Sequence, residues 1–179
     1  MPTSHSVAAA VVWDIDCVPV PEHNAGPVMF SLAVLIRRYG RRLRVHAAGN
    51  FQVVPAAAHK GLQHIGVVIH DSAPPVSPLL LRHGCDAGKV VTTVLQQLAL
   101  DYRLPCVLAI VSDDAGLAPT LASLRARGYR IIVISPASVP PELKEVADEC
   151  HDVAAFFRAP VLSPGSPCAA GFIDAGNMF

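Results

Sequence analysis

One feature restricts the fold of this chain more than any other: short apolar runs alternate with longer segments of helical spacing. Five such runs occur, at 8–13, 43–48, 66–70, 105–111 and 130–135. Segments with helical spacing separate them, at 28–39, 55–64, 86–100 and 115–127. Continuous apolar runs of this length are typical of parallel strands that are buried on both faces. The alternation predicts a three-layer α/β/α, Rossmann-like domain with a mainly parallel five-stranded sheet in the order 3-2-1-4-5.

The ends of these segments define the domain. The helix at 28–39 is expected to end at Gly40 and the helix at 115–127 at Gly128, since glycine is common at helix C-caps. Beyond Pro140 the pattern weakens, and we predict two short helices at 142–147 and 152–157. From Pro160 the composition is that of a linker. The domain is therefore predicted to span 1–158, followed by a linker and C-terminal tail at 159–179.

Composition narrows the class of protein. A hydrophobic fraction of 52% against a charged fraction of 16% excludes disorder for most of the 179 residues. Lys+Arg and Asp+Glu both number 14, so the net charge offers no argument for a nucleic-acid partner. Five cysteines without a C-x-x-C pair suggest neither a disulfide framework nor a zinc knuckle. With no secretory signal and no apolar stretch of membrane-spanning length, we expect a soluble intracellular protein of unknown compartment, with no membrane partner.

Acidic residues stand where two of the predicted strands end. Asp14 and Asp16 follow the first strand, Asp113 and Asp114 follow the fourth, and Asp86 opens the helix that leads into the fourth. In the predicted order these two strands are neighbours about 5 Å apart, and ligands bind at the carboxyl ends of such strands. Carboxylates this close repel one another, and a bound Mg²⁺ or Mn²⁺ would relieve the repulsion. The pattern favours metal-assisted phosphodiester hydrolysis. The alternative is that each aspartate only caps a helix or turn.

Five segments of the sequence resemble motifs of a known family. VVWDIDCVPVP resembles the opening of NYN domains of the limkain/meiosis-arrest type, and HAAGN, which ends at Asn50, resembles their second-strand motif. HGCDAGK has Asp86 at the acidic helix start, and IVSDDAGL resembles the motif that carries the last aspartate. LRARGYRIIVIS is similar to the final helix and strand, so the resemblance covers about residues 8–157.

The resemblance implies a PIN-like fold and an endoribonuclease that cuts single-stranded RNA with Mg²⁺ or Mn²⁺. It assigns the catalytic, metal-binding role to Asp14, Asp86 and Asp114, with Asp16 as a further metal ligand. Ser112 and Asn50 match further motif positions and are expected to be auxiliary, as is Asp113, which stands where the family varies.

The sequence departs from this family at two polar positions. Cys17 stands where the family has Asn, and Gly116 stands where it has an acidic residue or Asn. Leu117 then replaces an aromatic residue. These departures keep open an alternative, a catalytically degenerate domain that binds RNA or a protein partner, or forms a homodimer, without cutting.

Candidate RNA contacts are basic residues. The densest cluster comprises Arg37, Arg38, Arg41, Arg42 and Arg44, which could follow phosphates or simply form a solvated helix end. Lys89, one turn after Asp86, is the best single candidate to meet a phosphate near the metal. Aromatic residues make up only 6% of the chain, so we expect weak sequence specificity.

Two further interpretations stay open. VVWDIDCV also resembles the first motif of haloacid-dehalogenase-like phosphatases, in which Asp14 would be the nucleophile, Asp16 the general acid and Lys89 the phosphate-binding lysine. The tail sequence GFIDAGNMF resembles an alternative first-strand motif of NYN domains, with Asp174 and Asn177 in the metal-site positions, and could begin a second such segment.

Overall fold

The computed structural model describes residues 7–20, 25–40, 42–72, 87–101, 106–136 and 138–152. They form one sheet of six parallel strands, in the order β3-β2-β1-β4-β5-β6. The strands are β1 Ala8–Asp14, β2 Arg42–Gly49, β3 Val68–Asp71, β4 Cys106–Val111, β5 Arg130–Ser135 and β6 Glu149–Asp152. The helices are α1 Ala25–Ile36, α2 Ala56–His64, α3 Ala87–Asp101, α4 Ala118–Ala126 and α5 Pro141–Val146. The predicted order of the first five strands is confirmed.

Helices cover both faces of the sheet, which confirms the three predicted layers. Alternate residues of β1 point to opposite faces, so Val11 and Trp13 enter one core and Ala10 and Val12 the other. The first core is completed by side chains of α1 and α2, and the second by side chains of α3, α4 and α5. β1 lies at the centre of the sheet and is almost completely buried, as its uninterrupted apolar sequence requires.

The sixth strand corrects the prediction for the end of the domain. A short helix is present at Pro141–Val146, close to the predicted 142–147. Asp152, however, belongs to β6 and not to a helix, and 153–157 lie outside the described residues. β6 is an edge strand whose residues are half-buried or exposed, so its sequence, ECHD, lacks the apolar run that marks the buried strands.

Glu149 of β6 is held by neighbouring polar side chains. Arg130 forms an ion pair with it, and the Tyr39 hydroxyl donates a hydrogen bond to its carboxylate. The guanidinium of Arg130 also lies 4.8 Å from the centre of the Tyr39 ring, within the range of a cation–π interaction. These contacts lower the pKa of Glu149, with the Tyr39 hydrogen bond as the largest cause. We call Tyr39, Arg130 and Glu149 the paired edge.

The two glycines that were predicted to end helices have different roles. Gly128 has φ +95° and follows the turn after α4, as predicted for a helix end. Gly40 does not adopt a left-handed conformation, and α1 already ends at Ile36. A Cβ at Gly40 would lie only 2.6 Å from the carbonyl oxygen of Val7, so glycine is needed there for the close passage of the chain past β1. The predicted C-cap role of Gly40 is therefore wrong.

A pair of histidines lies between β2 and β3 on the sheet face that α3 covers. Nδ1 of His46 and Nε2 of His70 are 2.9 Å apart, and the two rings are inclined by only 22° with centres 5.2 Å apart. Such a separation fits rings that meet edge to edge through one N–H···N hydrogen bond. His46 is only 8% exposed, and burial, followed by the His70 and Arg44 charges, lowers its pKa to about 4. The neutral pair is therefore a structural feature of the second core.

None of the helices in the described ranges is both long enough and apolar enough to cross a bilayer.

Candidate active site at the carboxyl edge of the sheet

Asp14, the last residue of β1, is a buried carboxylate that faces the carboxyl edge of the sheet. It is 1% exposed. Its Oδ1 accepts hydrogen bonds from the backbone N–H groups of Asp16 (3.2 Å) and Cys17 (3.3 Å), and its Oδ2 accepts one from the Ser112 hydroxyl (2.9 Å). Within the described ranges, no lysine or arginine side chain forms an ion pair with it. A buried carboxylate without a cationic partner is unusual and needs another source of positive charge.

Ser112 connects the ends of the two neighbouring strands. Its hydroxyl is fully buried, donates to Asp14 Oδ2 and accepts a hydrogen bond from the backbone N–H of Asp114 (3.0 Å). Its own backbone N–H is bonded to the carbonyl of Ile134 on β5. One hydroxyl therefore fixes the loop after β4 relative to the carboxylate that ends β1, and it links two of the three aspartates that the sequence selected.

Asp114 caps a short turn and also faces the start of α3. Its Oδ1 accepts a hydrogen bond from the backbone N–H of Gly116 (2.8 Å) at the 3₁₀ turn Ala115–Leu117. This is the capping role that the sequence had left as the alternative. Its Oδ2 faces Gly88, where a Cβ would lie 2.7 Å away. The first turn of α3 thus approaches the carboxylate closely, and Gly88 makes that approach sterically feasible.

The end of β2 contributes a backbone contact to the acidic edge. The backbone N–H of Asn50 donates to both carboxylate oxygens of Asp16, at 3.1 and 3.2 Å. Burial raises the pKa of Asp16, and the negative charges of Asp14 and Asp71 raise it further against the effect of the Asn50 bond. Asn50, predicted as auxiliary, meets Asp16 through its main chain, and its side chain oxygen accepts from Gln52 N–H instead.

Asp71 is an acidic residue that the sequence analysis missed. It ends β3, and its carboxylate accepts a hydrogen bond from the backbone N–H of Phe51 (3.2 Å). Its charge acts on Asp16, so it belongs to the same edge. The signal was present in the sequence GVVIHD, an apolar strand that ends in aspartate in the same way as β1.

Cys17 places a thiol among the acidic side chains. The residue is half-buried, and its backbone N–H donates to Asp14 Oδ1 (3.3 Å). Burial, together with Asp14 and Asp113, raises the pKa of the thiol to about 12, although Ser112 acts in the opposite direction. Asp113 itself is exposed and lies at the outer rim of this group.

Not every predicted site residue can be located. Asp86 and Arg41 lie outside the described residues, and of Arg42 only the backbone, in β2, is described. α3 begins at Ala87, the residue after Asp86. In the described part of the chain, no group of three or more His, Cys, Asp or Glu side chains is arranged to hold a metal ion. A complete ligand set therefore requires at least one group from outside those ranges, or movement of the ones within them.

An open cleft lies beside Asp114. It is formed by the first turns of α3 and by the 3₁₀ turn, and its lining residues are Gly88, Lys89, Thr92, Thr93, Asp114, Gly116 and Leu117. Lys89 is exposed in this cleft, on the same lining as Asp114. The cleft combines a lysine and two hydroxyl side chains, which are suitable contacts for a phosphate.

Arg37 and Arg38, two described members of the arginine cluster, lie at the other end of the sheet. Arg37 and Arg38 are exposed and follow the C-terminal end of α1, next to Gly40, which contacts Val7 at the start of β1. Asp14 stands at the opposite end of β1, about 20 Å away for a strand of this length. A phosphate bound among the acidic residues would not reach these arginines.

A family comparison identifies the domain. The NYN domain profile matches residues 8–154. The chain belongs to the NYN family. The match is to this family as a whole, and it includes β1 with Asp14, the loop after β4 with Asp114, the first turn of α3 and the paired edge.

Two solved structures resemble this NYN domain. One is a protein of unknown function from Vibrio parahaemolyticus, with a TM-score of 0.65 and 16% identity over 85% of this chain and 96% of that one. The other is the MAR1 ribonuclease from Caenorhabditis elegans, with a TM-score of 0.41 and 12% identity over 84% of this chain and 79% of that one. A comparison with curated proteins found no match. At these identities the Vibrio structure supports the fold alone.

Proposed function

We propose that this NYN domain is a metal-dependent endoribonuclease that cuts single-stranded RNA at the carboxyl edge of its sheet. The observation that carries the proposal is Asp14, a carboxylate that is 1% exposed and has no cationic side-chain partner in the described part of the chain. Membership of the NYN family, whose members are generally nucleases, supports the same conclusion.

The chemistry of the donor groups fits a divalent cation. Asp14, Asp16 and Asp114 supply carboxylate oxygens, the ligands that Mg²⁺ and Mn²⁺ prefer in proteins. The raised pKa of Asp16 reflects the negative charge that has accumulated there and that a cation would neutralise. We expect Asp86, at the residue before α3, to complete the set, since Gly88 brings the start of this helix against Asp114.

The residues of the chain have distinct expected roles. When bound, Mg²⁺ or Mn²⁺ supplies the positive charge that polarises the scissile phosphate and activates a water molecule. Asp14 and Asp114 would hold the cation, and Ser112 keeps them in register through its two hydrogen bonds. Asp16, fixed by the Asn50 N–H, would supply a further carboxylate oxygen to the cation. Asp113, at the exposed rim, is expected to contribute through its charge alone.

RNA is expected to enter through the cleft beside Asp114. Lys89 can bind the phosphate next to the scissile one, and the Thr92 side chain, half-exposed in the same cleft, can donate a hydrogen bond to it. The Thr93 hydroxyl already donates to the backbone carbonyl of Lys89 (2.8 Å), so it can only accept. Contacts to the phosphates of the RNA backbone do not depend on the base sequence, which agrees with the expected weak sequence specificity.

The test is Mn²⁺-dependent cleavage of a labelled single-stranded RNA by the parent and two variants, Asp14→Asn and Asp114→Asn. We expect each variant to lose at least about 100-fold in rate, as is common when a group that stabilises developing charge is removed. Glu149→Gln is the matched control, because this carboxylate belongs to the paired edge. If both aspartate variants cut as fast as the parent, the activity belongs elsewhere.

A second candidate function is RNA binding without cleavage. The observation that favours it is Cys17, a thiol at the position where the family has a polar Asn. This candidate requires RNA retention that is unaffected by a chelator, with no products at any Mn²⁺ concentration. The same assays include a small phosphate monoester, because turnover of the monoester alone would indicate a phosphatase and overturn both candidates.

A further inference from the structure

We propose that the outer face of α1 is a docking surface for a helix of a partner protein, a helix that is apolar along one side and acidic in its first turn. We call this surface the outer stripe of α1, and it comprises Pro27, Phe30, Val34, Arg37 and Arg38. The inference goes beyond the proposed function and does not depend on it.

The sequence of α1 lacks the polar outer side of an ordinary surface helix. Over Ala25–Ile36 (AGPVMFSLAVLI), Ser31 is the only polar residue and no residue is charged. The inner side of α1 enters the first core through Val28, Leu32 and Ile36, which uses only part of its apolar surface. Because a helix that is apolar on all sides is normally covered on all sides, we expect the outer side to be covered as well.

Two large apolar side chains of the outer stripe are exposed. Phe30 is 42% and Val34 is 46% exposed, and side chains four residues apart are neighbours on one side of a helix. Pro27, three residues before Phe30, is exposed on the same side. Apolar residues at intervals of three and four form the seam along which two helices pack. The spacing therefore favours a helix as the occupant.

The outer stripe ends in two positive charges. The backbone N–H of Arg37 donates to the carbonyl of Ala33 (2.9 Å), so the helical path continues and carries Arg37 and Arg38 one turn beyond Val34. Both arginines are exposed, and within the described ranges neither forms an ion pair. Acidic side chains are the complementary groups for this end of the stripe.

The charges also favour one direction of the partner helix. Asp and Glu are stabilising in the first turn of a helix, where they interact with the positive end of its dipole. A partner helix that runs antiparallel to α1 places this first turn beside Arg37 and Arg38. A second copy of α1 does not fit, because its own first turn, 25–28 (AGPV), contains no acidic residue. Charge complementarity therefore favours a different protein over self-association.

The outer stripe is well separated from the proposed active site. α1 packs on the first core, whereas α3 and the 3₁₀ turn, which form the cleft beside Asp114, pack on the second core. These two cores lie on opposite faces of the sheet. A partner helix on α1 therefore leaves the cleft open.

The test is the binding of a labelled synthetic helical peptide of about 15 residues to the full chain, followed by fluorescence anisotropy. The peptide has Leu at intervals of three and four residues and Glu in its first turn. One comparison peptide has Lys in the first turn, and another has Glu in the last turn instead. We expect the peptide with first-turn Glu to bind at least about tenfold more tightly than either comparison peptide.

Variants of the chain assign the binding to the outer stripe. Phe30→Ser should weaken the binding of the acidic peptide by at least about tenfold and Val34→Ser by about fivefold, because each removes an apolar contact. Leu100→Ser is the matched control, since Leu100 is 76% exposed but lies on α3. The double variant Arg37→Glu, Arg38→Glu should prefer the peptide with first-turn Lys. Circular dichroism confirms that each variant is folded.

Several results would overturn the inference. One is an equal loss of binding in Leu100→Ser and Phe30→Ser, and another is no binding of the acidic peptide at about 1 mM. A chain that sediments as a dimer, and as a monomer in Phe30→Ser, would assign the stripe to a second copy. A single-stranded RNA that displaces the peptide would assign it to nucleic acid.

The two proposals fail separately. Phe30→Ser should cleave RNA at the parental rate, because the outer stripe and the cleft lie on opposite faces of the sheet. Peptide binding that depends on Phe30, in a chain that does not cleave RNA, supports the inference and removes the proposed function. Cleavage that depends on Asp14, without peptide binding, does the reverse.

Discussion

The two ends of the sheet treat their carboxylates in opposite ways. At the paired edge, Glu149 is bound by Arg130 and by the Tyr39 hydroxyl, and its pKa is lowered. At the carboxyl edge, Asp14 and Asp16 are held by N–H groups and one hydroxyl, and the pKa of Asp16 is raised.

Hydrogen bonds position a carboxylate at both places, but among the residues that the structure describes an arginine forms an ion pair with Glu149 and none does so with Asp14 or Asp16. The charge of the Glu149 carboxylate is therefore neutralised by the side chain of Arg130 within the fold. Within the described ranges, the carboxylates of Asp14 and Asp114 are positioned by hydrogen bonds without such an ion pair, as the proposed cation site requires.

The largest expected effect of pH on the unfolding free energy comes from the histidine pair. This effect has to be removed before the pH dependence of the two edges is compared. His46 has a folded pKa of about 4 against 6.5 in a model peptide, so the unfolded chain binds more protons between these values. Stability should therefore fall by about 3 kcal/mol as the pH is lowered from 6.5 to 4.

Urea unfolding across this pH range measures the slope. His46→Phe should remove most of it, and a variant with the parental slope would show that His46 is not responsible. Because both edges stay intact in this variant, it provides the background for the acid-pH comparison below.

Ser112→Ala compared with Arg130→Ala contrasts the two edges directly. Ser112→Ala leaves Oδ2 of the buried Asp14 without its hydroxyl partner, which should cost about 1–3 kcal/mol of unfolding free energy. It should also reduce Mn²⁺-dependent cleavage by at least about tenfold, because Asp14 and Asp114 lose their connection.

Arg130 is half exposed, so its removal should cost about 1 kcal/mol or less and leave cleavage unchanged. Equal losses of activity in Ser112→Ala and Arg130→Ala would mean that both act through global stability.

The smallest expected effect is a pH dependence of opposite sign at the two edges. Because the pKa of Asp16 is raised in the folded protein, its contribution to the unfolding free energy is fully present at pH values below 3.8, the pKa in the unfolded chain. This contribution is lost as the pH rises through the pKa of the folded protein. Because the pKa of Glu149 is lowered in the folded protein, its contribution to the unfolding free energy is fully present at pH values above 4.5, the pKa in the unfolded chain. This contribution is lost as the pH falls through the pKa of the folded protein.

In the His46→Phe background, Asp16→Asn should make acidification more destabilising and Glu149→Gln should make it less so. Unfolding free energies measured at several acidic pH values decide between the two signs, and the same sign for both variants would remove the distinction between the edges.

The sequence was sufficient for the elements whose physical signal is local. Short, mostly apolar runs predicted β1, β2, β3, β4 and β5, and their alternation with helices predicted the sheet order. Because parallel strands end at the same edge, the positions of Asp14 and Asp114 followed from that order. Ser112 was selected through the family resemblance, and the structure places its hydroxyl between the two aspartates.

Other features depend on packing that the sequence does not encode locally. β6 is a polar edge strand with no apolar run, and it is defined only by its pairing with β5. Asp71 was not predicted because it ends β3, whereas the prediction considered only the neighbouring strands β1 and β4. β3 pairs with β2, which lies on the opposite side of β1 from β4. The separation of Arg37 and Arg38 from the acidic edge follows from the direction of α1, and the contacts of Cys17 follow from the turn after β1.

Thermal unfolding with and without Mn²⁺ tests most directly whether the carboxyl edge is a cation site. At a Mn²⁺ concentration of 100 times the dissociation constant, the parent should gain about 2.7 kcal/mol, seen as a rise in Tm. Glu149→Gln should show the same rise, since its carboxylate belongs to the paired edge. Asp14→Asn should show none, and its Tm without metal should equal or exceed that of the parent. A rise in Asp14→Asn as large as in the parent would contradict the account.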